Sequence, residues 1–159
     1  MTLKFKITLL VATLLTGCNT HEKSYNIQST PFESEAKAVV SFLKVNKETL
    51  GKLTPDQEIL GWVVKCKSKY YYTTAKVGTT SNVINSNQVN NIDSCVVTAN
   101  IHSHLSSKGM TSDFFSPADL RASEEWTMYM LAQENCNLRV TNGKGRKGKL
   151  LGKIENCNG

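Results

Sequence analysis

Residues 95–102 (Cys-Val-Val-Thr-Ala-Asn-Ile-His) decide the fold, because they form an apolar and β-branched run that ends in a histidine. Such a run predicts a β-strand, and its apolar content indicates that the strand is fully buried. Ser103 and His104 follow it directly, so that the strand leads into a His-Ser-His sequence. We therefore expect a buried strand with two histidines at its carboxyl end.

The chain after this strand predicts a loop, a helix and a hairpin. Residues 105–115 are rich in Ser and Gly and predict the loop. Ser116 and Pro117 open a helix that we expect to run to about Glu134, because serine caps helices and proline suits the first helical position. Residues 138–141 and 149–154 are expected to form the closing hairpin.

The chain before the strand predicts one helix and two paired strands. Apolar residues between Phe32 and about Asn46 are spaced for an amphipathic helix, with a polar start at Ser34 and Glu35. Residues 58–66 and the aromatic and β-prone residues 70–74 predict strands that pair across a short turn.

The Gly-, Ser-, Asn- and Thr-rich residues 78–94 predict a long loop. The order helix, strands, helix, strands indicates an α+β domain, or an α/β sandwich, over residues 32–159.

Residues 1–17 have the pattern of an export signal. Lys4 and Lys6 precede an apolar or small run from Ile7 to Leu15, broken only by two threonines. That run is too short to cross about 30 Å of hydrocarbon as a helix, but it fits the apolar region of a signal peptide. Loss of the two lysines with the signal lowers the formal net charge from +6 to +4. This mild excess is compatible with anionic lipid or cell wall and does not indicate nucleic-acid binding.

The segment Leu-Thr-Gly-Cys at residues 15–18 resembles the lipobox of bacterial lipoprotein precursors, in which the cysteine is acylated and the bond before it is cut. The resemblance implies an exported protein that is anchored in the membrane through lipid on Cys18, with residues 18–31 as that cysteine and a polar tether. Asn19 after the cysteine implies the outer membrane in a Gram-negative host, facing the periplasm or the cell surface. The alternative is an ordinary secretory signal that happens to contain a cysteine.

Four cysteines remain beyond Cys18, namely Cys66, Cys95, Cys136 and Cys157. An even number in an exported chain predicts two disulfides, with three possible pairings. A Cys66–Cys95 bond would join neighbouring strands and a Cys136–Cys157 bond would close the C-terminal segment, so we favour this pairing. Zinc ligation by four cysteines is disfavoured because the chain lacks CxxC spacing.

The histidine strand and the helix start can together form a metal site. Residues i and i+2 of a strand share a face about 6.5–7 Å apart, so His102 and His104 can converge on one ion, and Asp119 can supply an oxygen ligand. Three protein ligands leave a fourth position for water. Taken separately, Ser116 and Asp119 also form a helix cap, and a His-x-His pair on a strand is a weak signal. The occurrence of both patterns in one chain favours a metal site over a helix cap and an unrelated histidine pair.

This combination resembles the JAMM (MPN-type) zinc peptidase motif, His-x-His-Pro followed after a spacer by Ser-x-x-Asp, and more narrowly a JAB-like domain of unknown function in bacterial secreted and toxin proteins. The resemblance implies a JAMM-like, cytidine-deaminase-like mixed sheet flanked by helices, and zinc held by His102, His104 and Asp119. Glu58 would move a proton from the attacking water to the leaving amine. Ser116 would donate a hydrogen bond to the developing oxyanion, a role worth about 2.7–4 kcal/mol.

The motif departs from the family pattern at Leu105, which stands where proline is usual, and in a longer spacer before Ser116. Asp56 lies near Glu58 and is an alternative to it. The expected function is hydrolysis of an amide, peptide or isopeptide bond in a peptide or protein substrate of the envelope. The alternatives are a non-catalytic lipoprotein that uses the same fold for binding, and a toxin-like effector.

Overall fold

The computed structural model describes residues 26–79, 95–105, 113–143 and 145–157. The predicted export signal, Cys18 and the first part of the tether lie outside the described residues. Most of the two loops predicted at 78–94 and 105–115 also lies outside them.

The fold is α+β, as predicted, with a mixed sheet that curls into a half-barrel and carries a few short helices. The helices in the described residues are α1 (Glu35–Val45), α2 (Lys47–Leu50) and α3 (Pro117–Ala122). The strands are β1 (Gln57–Cys66), β2 (Lys69–Tyr72), β3 (Lys76–Thr79), β4 (Cys95–His104), β5 (Thr127–Ala132), β6 (Asn137–Thr141) and β7 (Lys149–Lys153). The strand order is β2-β1-β4-β5-β6-β7, and β3 also pairs with β1.

Strand β1 lies inside the sheet and has partner strands along both of its edges. One edge pairs antiparallel with β4 and places Leu60 opposite His102. The other edge is shared by β2, which pairs with residues 63–66, and β3, which pairs with residues 57–60. The predicted strand pair is therefore confirmed. Strand β3 overlaps the predicted loop by two residues.

Helix α1 packs on one face of the sheet. Its start at Ser34 is confirmed, because the Ser34 hydroxyl accepts a hydrogen bond from the Lys37 amide at 3.3 Å. Its buried face includes Phe42, whose ring lies directly over Gly61 of β1. A Cβ atom at Gly61 would lie only 2.5 Å from Phe42 Cζ, so the glycine permits the close approach of helix and strand.

The predicted helix from Ser116 to about Glu134 is wrong beyond its first turns. Helix α3 ends at Ala122, and β5 then lies between β4 and β6, buried at every position after Thr127. A strand covered on both faces has no alternation of polar and apolar residues, so periodicity cannot distinguish it from a buried helix. Strands β4 and β5 are parallel, and α3 lies in the crossover connection that such a pair requires.

Strand β4 is buried only in its second half. Residues 99–103 are buried, whereas Val96 is 62% exposed. The prediction of a fully buried strand is therefore wrong for its first four residues, which lie beyond the reach of β5. The register of the parallel pair begins at Ala99, opposite Thr127.

Residues 26–32 lie along the outer edge of β2. Ile27 bridges Thr73, and Phe32 bridges Tyr70 through two backbone hydrogen bonds of 2.8 and 3.0 Å. Residues 26–31, which the sequence assigned to the tether, therefore lie against the edge of the sheet. The pairing uses backbone groups together with two hydroxyls, because Ser29 Oγ accepts a hydrogen bond from the Tyr72 amide at 3.0 Å and Thr74 Oγ1 accepts one from the Asn26 amide at 3.2 Å. The polar, aperiodic residues of this segment do not mark it as part of a sheet.

Two disulfides hold the sheet together and pair as the sequence favoured. Cys66–Cys95 joins directly opposed residues of β1 and β4, with Cα atoms 4.1 Å apart. Cys136–Cys157 ties the turn before β6 to the C-terminal segment, with Cα atoms 5.7 Å apart. Disulfides indicate an extracellular or otherwise oxidising compartment. Among the described residues, no helix has the length and apolar character needed to span a membrane.

Candidate metal centre

The face of the sheet opposite α1 carries the two histidines of β4. Ala99 and Ile101 point to the α1 side and belong to the main hydrophobic core. His102 and His104 alternate with them and therefore point to the other face, with ring centroids 5.0 Å apart. Asp119 of α3 reaches the same face from the crossover connection.

The three predicted ligands converge as a metal site requires. Their ligand atoms all lie within 4.8 Å of one another. The Asp119 carboxylate lies 3.6 Å from His102 Nε2 through Oδ1 and 3.4 Å from His104 Nε2 through Oδ2. Tetrahedral zinc with bonds of about 2.0–2.1 Å would hold two ligand atoms about 3.3 Å apart. The two distances from the carboxylate to the imidazoles are close to this value, and the three side chains could bind a metal ion.

His102 supplies independent evidence for a ligand at this point. Its side chain is only 1% exposed, and its Nε2 atom is buried without a hydrogen-bond partner. Buried polar atoms are rarely left without a partner, and each such atom requires an explanation. A metal ion between His102 and Asp119 would satisfy Nε2.

Helix α3 holds the Asp119 carboxylate in a fixed orientation. Asp119 Oδ2 accepts a hydrogen bond from the Ser116 amide at 2.7 Å, and Ser116 Oγ accepts one from the Asp119 amide at 3.1 Å. This reciprocal pair is a capping box, with Pro117 at the first helical position. Asp119 can therefore cap the helix and offer its carboxylate to a metal ion at the same time, as the sequence indicated.

Glu58 lies at the rim of the same site. Its Oε1 atom is 4.0 Å from His104 Nε2, because β1 runs antiparallel to β4 and carries Glu58 past His102 to the end of the histidine strand. The side chains of Glu58, His104 and Asp119 are 17%, 14% and 15% exposed. These three side chains are therefore partly open to solvent, whereas His102 is enclosed.

The carboxylates and the histidines change each other's ionisation. Burial lowers the pKa of His102, but Asp119 and then Glu58 outweigh burial, so that the pKa of His102 is raised overall. Burial raises the pKa of Asp119, and the two histidines more than reverse this, which places the pKa of Asp119 well below its usual range. The carboxylate is therefore ionised at every physiological pH, as a metal ligand must be.

Three further contacts anchor the segment that leads into α3. Asp113 accepts two hydrogen bonds from Arg139 of β6, at 2.6 Å from Nε and 2.7 Å from Nη2. The Phe115 amide donates to the Arg146 carbonyl at 2.7 Å. The buried Phe115 ring packs edge-on against His102, with centroids 6.2 Å apart. The hairpin of β6 and β7 thus supports the wall of the site.

The structure brings together His102, His104, Asp119 and Glu58, and it places Ser116 directly at the cap that orients Asp119. Sequence analysis assigned no role to Asn100, which lies behind His102, or to the Asp113–Arg139 pair. Asn100 could have been identified from the sequence, because an asparagine two residues before a histidine lies on the same face of a strand. The ion pair joins residues 26 positions apart and had no local signal.

The fold and site define a disulfide-bonded α+β domain with a His-His-Asp group that could bind a metal ion. The chain matches no protein family, and comparisons with curated proteins and with solved structures find nothing similar to it.

Proposed function

We propose that this chain is a zinc-dependent hydrolase of amide, peptide or isopeptide bonds, of the JAMM type. The observation that carries the proposal is the convergence of His102, His104 and Asp119 beside the Glu58 carboxylate. Two imidazoles and one carboxylate are a common ligand set of catalytic zinc, and three protein ligands leave one position open. When bound, zinc supplies a Lewis acid that polarises a carbonyl and activates water at neutral pH.

Glu58 is the general base of the proposed reaction. Its carboxylate is partly exposed at the open side of the site, 4.0 Å from His104 Nε2, where a water molecule and a substrate carbonyl can approach. It takes a proton from the attacking water and returns it to the leaving amine. General acid–base catalysis of this kind contributes about 10²–10⁴-fold to a rate.

Ser116 stabilises the negative charge that develops on the substrate carbonyl. Its Oγ atom accepts a hydrogen bond from the Asp119 amide, which uses a lone pair and leaves the hydroxyl proton free to donate. The same bond fixes the hydroxyl next to the Asp119 carboxylate. A donor held in place in this way does not need to reorganise during the reaction.

The resemblance of the sequence motif to the JAMM family supports the same assignment. The histidine strand lies inside a mixed sheet, and the Ser/Asp segment opens the helix that follows it. The glutamate lies on the neighbouring antiparallel strand, at the same end as the second histidine. This placement of the motif residues supports the proposal.

We further propose that the enzyme acts in the bacterial envelope, anchored through lipid on Cys18 and, in a Gram-negative host, in the outer membrane. The lipobox-like sequence and the two disulfides support this location. The substrate is then a peptide or protein of the envelope, such as a peptide cross-link of the wall.

Hydrolysis by the detergent-solubilised full chain tests the function. The substrates are short peptides and isopeptide-linked peptides, and the readout is the amine released with and without a chelator. Glu58→Gln should lower kcat by about 10²–10⁴-fold while zinc is retained. Glu48→Gln, at an exposed glutamate of α2, is the matched control and should leave the rate unchanged.

Three outcomes would contradict the proposal. Hydrolysis that persists in Glu58→Gln at the wild-type rate would remove this glutamate from the mechanism. Zinc binding without hydrolysis of any substrate in the panel would favour a non-catalytic binding module, and recovery of the chain free in the medium would favour a toxin-like effector.

A further inference from the structure

Asn100 lies directly behind the metal-facing side of His102. It is completely buried in β4, two residues before His102 and on the same face of the strand. Its Oδ1 atom lies 3.0 Å from His102 Nδ1. Its Nδ2 atom donates a hydrogen bond to the Gly61 carbonyl of β1 at 3.3 Å.

These two contacts fix the orientation of the Asn100 amide. The Gly61 carbonyl can only accept a hydrogen bond, so the amide group that faces it must be the Nδ2 donor. Oδ1 then faces His102, and because Oδ1 can only accept, His102 Nδ1 must carry the hydrogen. In the neutral ring this leaves Nε2 with a free lone pair.

That lone pair belongs to the atom that points into the metal site. Nε2 is the nitrogen that lies 3.6 Å from Asp119 Oδ1 and has no hydrogen-bond partner of its own. Metal-binding histidines generally donate their other ring N–H to a carboxylate, a backbone carbonyl or water, which sets the tautomer and the ring orientation. An asparagine oxygen can perform the same task without adding a negative charge.

We propose that Asn100 is a positioning residue of the metal centre, which holds His102 in the tautomer and orientation that bind metal through Nε2. The inference rests on the proposed metal site and extends it to a residue that does not touch the ion. Because Asn100 is anchored on Gly61 of β1, it also connects the orientation of His102 to the strand that carries Glu58.

Three variants of the full chain separate this role from a purely structural one. Asn100→Leu removes both hydrogen bonds and leaves Nδ1 unpaired. Asn100→Asp keeps an acceptor for Nδ1 but places a carboxylate against the Gly61 carbonyl, so it should lower the thermal stability of the metal-free chain. Thr98→Val, the control, removes the 3.5 Å bond from Thr98 Oγ1 to the Val63 carbonyl on the same two strands, away from the ligands.

Zinc dissociation constants, measured by competition with a chromophoric chelator, give the first readout. Asn100→Leu should bind zinc about 10–100-fold more weakly than the wild type, as for other partners of metal-ligating histidines. Asn100→Asp should stay within a few-fold of the wild type despite its lower melting temperature, and Thr98→Val should match the wild type. The proposal would be overturned if the zinc affinities of the variants ranked in the same order as their melting temperatures, with Asn100→Asp weakened as its lower stability would imply.

The imidazole nitrogen spectrum of the zinc-loaded wild type gives a second readout that needs no variant. It should show a His102 Nδ1–H that exchanges slowly with water, and a His102 bound to zinc through Nδ1 would overturn the proposal. Zinc binding by the wild type with undiminished affinity in Asn100→Leu would refute only the role of Asn100. Failure of the wild type to bind zinc would refute the proposed function as well.

Discussion

Replacement of Asp113 by asparagine should destabilise the domain by about 1.5–3 kcal/mol at pH 7, the contribution of a hydrogen bond to a charged group. Asp113 is held by two bonds from Arg139, at 2.6 and 2.7 Å, and the Arg139 side chain is only 6% exposed. An asparagine can keep one of these bonds through its single oxygen. It removes the second bond and leaves the buried guanidinium without its countercharge.

The pH dependence of this loss follows from the pKa of Asp113. The hydrogen bond from Arg139 lowers that pKa, and this outweighs burial, which raises it. A carboxyl group whose pKa is lowered by folding stabilises the folded state fully above its unfolded pKa of about 3.9. That stabilisation is lost as the pH falls through the folded pKa. The difference between wild type and Asp113→Asn should therefore be constant near neutrality and shrink below about pH 3.9.

Urea unfolding of the oxidised chain, followed by tryptophan fluorescence at pH 7 and at pH 3, measures both effects. Glu124→Gln removes an exposed carboxylate just after α3 and should change the stability by less than about 0.5 kcal/mol. A loss below about 1 kcal/mol for Asp113→Asn at pH 7 would contradict the reasoning, because exposed surface ion pairs typically contribute about 0.2–1 kcal/mol. So would a loss that is larger at pH 3 than at pH 7.

Three further substitutions test the main core, on the face of the sheet opposite the site. Gly61→Ala should cost about 1–3 kcal/mol, because the new methyl group overlaps the buried Phe42 ring, and a urea midpoint equal to that of the wild type would contradict the close approach. Tyr129→Phe should cost about 1.5–3 kcal/mol through loss of its 2.9 Å hydrogen bond to Glu35, with an unchanged zinc affinity as the check on specificity. Cys136→Ser opens a disulfide that closes 21 residues of chain and should cost about 3 kcal/mol, measured by thermal unfolding under non-reducing conditions.

The sequence predicted those parts of the fold whose signals are local. The start of α1 at Ser34 was visible because a serine stands before an amphipathic run, and the pairing of β1 with β2 followed from two β-prone segments around a short turn. The disulfide pairing followed once the strands were placed. These features depend on residues close together in the chain or on strands that are sequence neighbours.

The sequence failed where tertiary burial overrides the local pattern. Residues 127–132 were predicted as part of a helix because a doubly buried strand has lost the alternation that marks one. The edge pairing of residues 26–32 uses mostly backbone groups, with the hydroxyls of Ser29 and Thr74 as additional acceptors, and polar residues of this kind are as common in loops as at sheet edges. Strand β3 is short, contains a glycine and has an exposed valine, Val77, so it has little strand signal.

The sequence predicted the three side chains that could bind a metal ion, but only some of the residues that hold them in place. His102, His104 and Asp119 were identified because ligand chemistry restricts both residue type and spacing. Asn100 and the Asp113–Arg139 pair act through contacts that depend on strand register and on the crossover connection. Such contacts become visible only when the sheet order is known.

The central claim, that the His-His-Asp group binds zinc, is tested most directly by the metal content of the full chain. Wild type and His104→Ala, each exposed to zinc and dialysed against metal-free buffer, would be compared by elemental analysis, with Glu124→Gln as a control for loss of an exposed charge. The account predicts about one zinc ion for each chain in the wild type and the control, and loss of zinc in His104→Ala, because a site with two ligands holds zinc poorly. A wild type without zinc, or a His104→Ala chain that retains as much zinc as the wild type, would contradict it.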